Sequence, residues 1–142
     1  MIIALAGLAI VLALVLGVGP VSHGVLRHLV QTAPLWPAIV LDFRRSELAK
    51  WCALPALFFW SAIMICIWLF LLGWARIVTG TFTPVEIAMT IVCGIAAAAG
   101  MMSALRKRTA TRPGTAAALF VLFSALQLIA FRISLLPGIS HD

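Results

Sequence analysis

Four runs without a single charged residue, Met1–Val21, Trp51–Ala75, Ile87–Leu105 and Pro113–Phe131, constrain this chain more than anything else in it. A helix rises about 1.5 Å per residue and a bilayer's hydrocarbon core is about 30 Å thick, so a run of about 20 apolar residues can cross. Lipid offers backbone N–H and C=O groups no partner, which leaves helices or a closed barrel. The short alternating segments of a barrel are absent. The expected fold is therefore all-α: an integral membrane four-helix bundle forming one domain over residues 1–142, with spans near 1–21, 51–75, 86–105 and 113–136. Only 10% of the residues are charged, against about a quarter in soluble domains. No Lys or Arg precedes the first run and no small-x-small cleavage pattern follows it, so it reads as a retained helix rather than a signal peptide.

The basic residues give an orientation. Arg27, Arg44, Arg45 and Lys50 fall in the first connection, and Arg106, Lys107, Arg108 and Arg112 in the third, which is eight of the ten. The positive-inside rule makes both connections cytoplasmic and puts both termini outside, in a bacterial inner membrane. Clustering beside apolar spans also argues that the net charge of +6 serves anionic lipid headgroups rather than nucleic acid.

Within the first connection, Ser22–Gln31 collects Val25, Leu26, Leu29 and Val30 on one helical face and His23, Arg27, His28 and Gln31 elsewhere. That pattern predicts a short helix lying at the cytoplasmic interface, broken by Pro34 and Pro37 around Trp36. Asp42 or Ser46 is placed to cap the second long helix. Trp51 and Trp74 sit where interfacial anchors belong. On span three, Gly94, Ala98 and Met102 form one stripe and Ala96, Gly100 and Ala104 another, a spacing that lets helices approach closely, within a protomer or between protomers.

Few residues offer chemistry. Cys52 and Cys66 are 14 positions apart on one helix, about 21 Å, and no C-x-x-C occurs, so the thiols read as packing residues. His23, His28 and His141 lie outside the spans, and none is paired at i, i+4, so neither haem nor a metal site is expected. No ionisable group falls at mid-membrane, where a proton- or ion-coupled transporter needs one. Glu86, at the outer end of span three, is level with Arg132 and Arg76. It either forms an outer-face ion pair, Arg132 being the first candidate, or snorkels separately to water. Ser124, Gln127 and Ser134 share one face of span four and suit interhelical hydrogen bonds. The densest polar constellation is Arg44, Arg45 and Glu47 facing Arg106 and Arg108. It could hold an anion or lipid headgroup, or serve only as a topology determinant. No residue is assigned a catalytic role.

At Leu54-Pro55-Ala56-Leu57-Phe58-Phe59, preceded by Phe43-Arg44-Arg45-Ser46-Glu47, the chain resembles the MAPEG family of small membrane proteins of eicosanoid and glutathione metabolism. The resemblance implies a trimer of four-helix protomers with glutathione or a lipid bound near the cytoplasmic face between subunits. The chain departs from the family pattern at Lys50 and Ala53, where Asn and Glu are usual, and at Ala96–Gly100 and Met101-Met102, where bacterial members carry Arg and His.

These readings lead to a scaffold or accessory subunit in a homo-oligomer or larger membrane complex, with membrane lipids as its other partners. Two alternatives stand beside it. One is a MAPEG-like glutathione- or lipid-binding membrane enzyme, or a degenerate form of one. The other is a small oligomeric transporter. Glutathione enters as a cofactor only through the resemblance.

Overall fold

The computed structural model describes residues 1–76 and 80–140, so His141 lies outside the described residues. The described chain is helical, with four helices long and apolar enough to cross a membrane: Ile2–Ser22, Ala49–Leu71, Pro84–Arg106 and Pro113–Ser134.

The first of these is not uniform. It comprises α1 (Ile2–Leu12), a π-helical stretch (Ala13–Val18) and α2 (Gly19–Ser22). Pro20 has no N–H to give the Leu16 carbonyl and its ring crowds that turn, so widening the backbone just before it relieves the clash. His23 then adopts a left-handed φ of 49°, and the Gly24 N–H closes the helix end on the Gly19 carbonyl at 3.0 Å. This is the usual way a helix satisfies its last carbonyls.

The chain next turns back. Residues 25–43 form two helices, α3 (Val25–Thr32) and α4 (Leu35–Phe43), separated at Ala33-Pro34. Pro37 falls in the first turn of α4, where a missing N–H costs nothing. The return runs antiparallel to α1. A methyl group on Gly7 would come within 2.8 Å of Ile39 Cγ1, and the Ala4 N–H donates to Asp42 Oδ2 at 2.9 Å. The connection is thus longer and more structured than the single short helix expected at one end of the bundle.

Three long helices complete the fold: α5 (Ala49–Leu71), α6 (Pro84–Arg106) and α7 (Pro113–Ser134), with a final turn α8 (Pro137–Ser140). Helix α6 is the centre, packed between α1 and α5. A methyl on Gly100 would meet Ala6 Cβ at 2.8 Å and Leu57 Cδ2 at 3.1 Å, so glycine alone permits this approach. Its two small-residue stripes therefore separate. Ala96, Gly100 and Ala104 are buried inside the protomer, whereas Ala98 and Met102 are exposed.

One sequence expectation is corrected. Met1 does not lie opposite the basic loops, because its amino group is 2.8 Å from Asp42 Oδ2, and Lys107 Nζ is 3.2 Å from the same carboxylate. The termini of the described chain are at opposite ends of the bundle, since the far end of α7 meets α3 through Ser134 and Gln31. The reason is the α3–α4 return, which adds a pass that hydropathy alone does not reveal. Arg27 consequently parts from Arg44 and Arg45 and joins the end where α6 begins.

Overpacking a tight helix contact costs about 1–3 kcal/mol. Gly100→Leu is expected to lower the thermal unfolding midpoint in detergent clearly, while Ala98→Leu on the exposed stripe leaves it nearly unchanged. Equal effects would show that α6 does not pack in this register.

Candidate functional site

Two polar clusters organise the molecule, one at each end. At the Met1 end, Asp42 is the hub. Its side chain is 2% exposed and accepts from the Met1 amino group, the Ala4 N–H and Lys107 Nζ. Burial pushes its pKa up, but the hydrogen bonds and positive charge around it outweigh that and hold the carboxyl below its ordinary 3.8. Asp42 therefore caps the start of α1 from across the bundle, rather than the start of α5. The α5 end is left with Ser46, whose Oγ accepts from the Leu48 N–H at 3.3 Å.

Lys107 also donates to the Ser46 carbonyl, Lys50 Nζ donates to the Lys107 carbonyl, and Glu47 Oε2 accepts from the Ala110 N–H at 2.8 Å. Lys50 further lies 4.8 Å from the centre of the Trp51 ring, within cation–π range. The two basic loops are thus brought together as expected, but by Asp42, Lys50 and Lys107. Among the anion-site candidates, Glu47 makes the contact to Ala110, while Arg44, Arg45, Arg106 and Arg108 are all exposed. They surround the junction without converging inside it.

At the other end, Glu86 does not pair with Arg132. Its Oε2 accepts from the Thr83 N–H at 2.7 Å and the Thr83 hydroxyl at 2.8 Å, while its own N–H donates to Thr83 Oγ1. This reciprocal capping box turns the carboxylate onto the first turn of α6. Arg132 and Arg76 are exposed. The motif Thr83-x-x-Glu86 was visible in the sequence and is the signal that argues against a long-range partner.

Beside Glu86 lies a cavity of about 390 Å³ lined by the π-helical stretch, α2, α3, α5, α6, α7 and residues 80–82 before α6. The volume is in the range of small-molecule sites. Its body is apolar, with Leu14, Val18, Ile63, Met64, Met89 and Cys93. Its polar lining is Ser22, Arg27, His28 and Gln31 on one side with Thr81, Glu86 and Thr90 on the other. Phe131 and Trp60 complete the wall, fixed by edge-on contacts of Phe59 to both rings at 5.2 and 5.5 Å.

The α3 side is held rigidly. His28 Nδ1 is 3.1 Å from Gln31 Oε1, which fits a protonated Nδ1, Gln31 Nε2 donates to Ser134 Oγ at 3.0 Å, and Gln127 Nε2 donates to the Gln31 carbonyl at 3.1 Å. Gln127 and Ser134 thus make the interhelical hydrogen bonds foreseen for span four, whereas Ser124 bonds only the Phe120 carbonyl of its own helix. Two donors around the cavity are left over. Arg27 Nε and Trp60 Nε1 are buried without a hydrogen-bond partner. A buried donor in that state costs about 1–3 kcal/mol. No family model, curated protein or solved structure matches the chain.

The depressed Asp42 pKa has a definite sign. The stability it contributes is present above pH 3.8, the unfolded value, and is lost as pH falls through the lower folded value. Asp42→Asn is expected to reduce thermal stability at neutral pH, and its gap from wild type should narrow on acidification below that value. Parallel melting curves against pH would show that the carboxylate is not charged in this contact.

Proposed function

We propose that this chain is a membrane-embedded binding protein that holds a small amphiphile in the cavity between the π-helical stretch, α3, α5, α6 and α7. The observation that carries this reading is a cavity with apolar walls and buried polar groups at one end, inside a bundle whose outer surface is apolar. Ligand sites commonly combine a hydrophobic body with a few placed polar groups. Ionisable residues inside membrane bundles, here Arg27 and Glu86 on the cavity wall, commonly mark functional sites.

The reading includes an orientation. With Arg27 counted at the Glu86 end, Arg44, Arg45, Lys50, Arg106, Lys107, Arg108 and Arg112 make seven basic residues at the Asp42 end, against Arg27, Arg76 and Arg132 at the other. The positive-inside rule then makes the Asp42 end and Met1 cytoplasmic, in an inner membrane, and the cavity belongs to the outer half. Helices α3 and α4 act as a fifth, broken crossing. Their outward residues Leu26, Leu29, Trp36, Val40 and Phe43 are all exposed and apolar, which suits lipid, while Gln31, Thr32 and Asp42 turn inward.

Met64 is a buried residue of α5 on the cavity wall, so Met64→Trp fills the space. Native mass spectrometry of the protein released from membranes is expected to show amphiphile adducts lighter than a phospholipid on wild type. Met64→Trp should lack them while keeping its melting temperature. Identical adducts on both proteins would sink the proposal.

A second reading, the scaffold or accessory subunit, is favoured by the exposed Ala98 beside Ile95 and Met102 on α6. Small residues on a lipid-facing helix allow another helix to approach. Ala98→Cys is expected to crosslink copies of the chain in native membranes if this face joins protomers. A monomer alone, with no larger complex by mass, would remove that reading.

A further inference from the structure

The cavity's polar side is unbalanced in a way that specifies its occupant. Its titratable residues are Arg27, His28, Glu86 and Cys93. Glu86 is the acid among them, and its carboxylate is engaged by Thr83 and the first turn of α6. The amide groups of Gln31 are engaged by His28 and Ser134, and Thr90 donates to the Ile87 carbonyl at 2.7 Å. The Arg27 guanidinium, by contrast, forms no ion pair with any described acid. The described ion pairs are Met1 and Lys107, both to Asp42 at the opposite end.

Trp60 is 3% exposed, and its indole N–H, like Arg27 Nε, is buried without an acceptor. Both groups can only donate. Neither donor has an acceptor in the fold, and the negative carboxylate on the same cavity, Glu86, is turned onto Thr83 and the first turn of α6, so the partly buried Arg27 is left without a described ion-pair partner.

We infer that the cavity takes an amphiphile with an anionic, acceptor-rich head, a carboxylate or a phosphate monoester, bound by the Arg27 guanidinium and the Trp60 indole N–H with its apolar tail along Leu14, Met64, Met89 and Cys93. This rests on the amphiphile-binding reading above and names its ligand class. The acyl or prenyl body fits the apolar walls, and the head reaches the guanidinium, whose planar fork matches a carboxylate or phosphate. A cationic head would meet Arg27 as a like charge. A neutral alcohol or ester could accept one hydrogen bond but would leave the guanidinium uncompensated.

The test uses the full chain in phosphatidylcholine nanodiscs and tryptophan fluorescence quenched by brominated probes, with empty discs subtracted. The probes are 11-bromoundecanoic acid, its methyl ester and the corresponding alkyl phosphate. A charge-assisted contact gives about a tenfold preference for the acid or the phosphate over the ester. Arg27→Gln should bring the charged probes to the ester's level, and Arg27→Lys should keep most of the preference. Trp60→Phe should weaken the charged probes without abolishing binding. Whichever of acid and phosphate binds tighter identifies the head.

Equal binding of acid, phosphate and ester, each still excluded by Met64→Trp, would overturn the anion inference and leave the amphiphile site standing. Binding that ignores Met64→Trp, or no binding at all, would overturn both. Should Arg27→Gln fail to fold, the wild-type ranking of acid against ester still decides the inference.

Discussion

A polar group that cannot reach water inside a membrane has to find its partner within the protein, and the path of residues 25–43 follows from that requirement. Gln31 is the clearest case. Its side chain and carbonyl together take contacts from His28, Ser134 and Gln127, so α3 is clamped to α7 with its polar face inward. Thr32 settles its hydroxyl on the His28 carbonyl of its own helix. Asp42 does at the other end of the return what Gln31 does at the first, gathering α1 and the α6–α7 loop around one carboxylate. Once both are satisfied, Leu26, Leu29, Trp36 and Val40 have nowhere to go but outward.

Close backbone approach determines where the bundle is tight and where it is open. Gly7 against Ile39 and Gly100 against Ala6 and Leu57 draw α1, α4, α5 and α6 together in the half nearer Asp42. Towards the other end the first span changes to a π-helical stretch, whose wider turn places Leu14 and Val18 on the cavity wall. Gly17 still lets Met89 approach, a methyl there meeting its Cγ at 2.7 Å. The cavity lies where α3 stands between the end of the first span and α7, beside α5 and α6.

Much of the fold was legible because membrane spans are coded by length and apolarity, which are local properties. The inner stripe of α6 was legible too, since small residues four apart state their own spacing. What local pattern does not encode is which face of an amphipathic helix is wet. The 25–32 segment has the periodicity of an interfacial helix, and the same periodicity serves a helix that turns its polar face into a bundle. Gln127 and Ser134 on span four were the missing half of that information. They needed inward-facing partners, and Gln31 is the partner that lies in reach.

The charged loops illustrate the converse. Arg44, Arg45, Arg106 and Arg108 form the densest polar text in the sequence, and they are exposed around a junction whose internal work is done by Asp42 and two lysines. Loop charge answers to topology and solubility, and its density says little about where a ligand would sit. Arg27 is near those loop residues only in sequence. Its position beside Glu86, Trp60 and the apolar cavity depends on the return of α3 and α4, a tertiary event. The residue with the strongest claim to bind something is thus the one whose surroundings the sequence specifies least directly. It lies where two helices, held by Gln31 and Asp42, bring Arg27 to the wall of the cavity that Trp60 also lines.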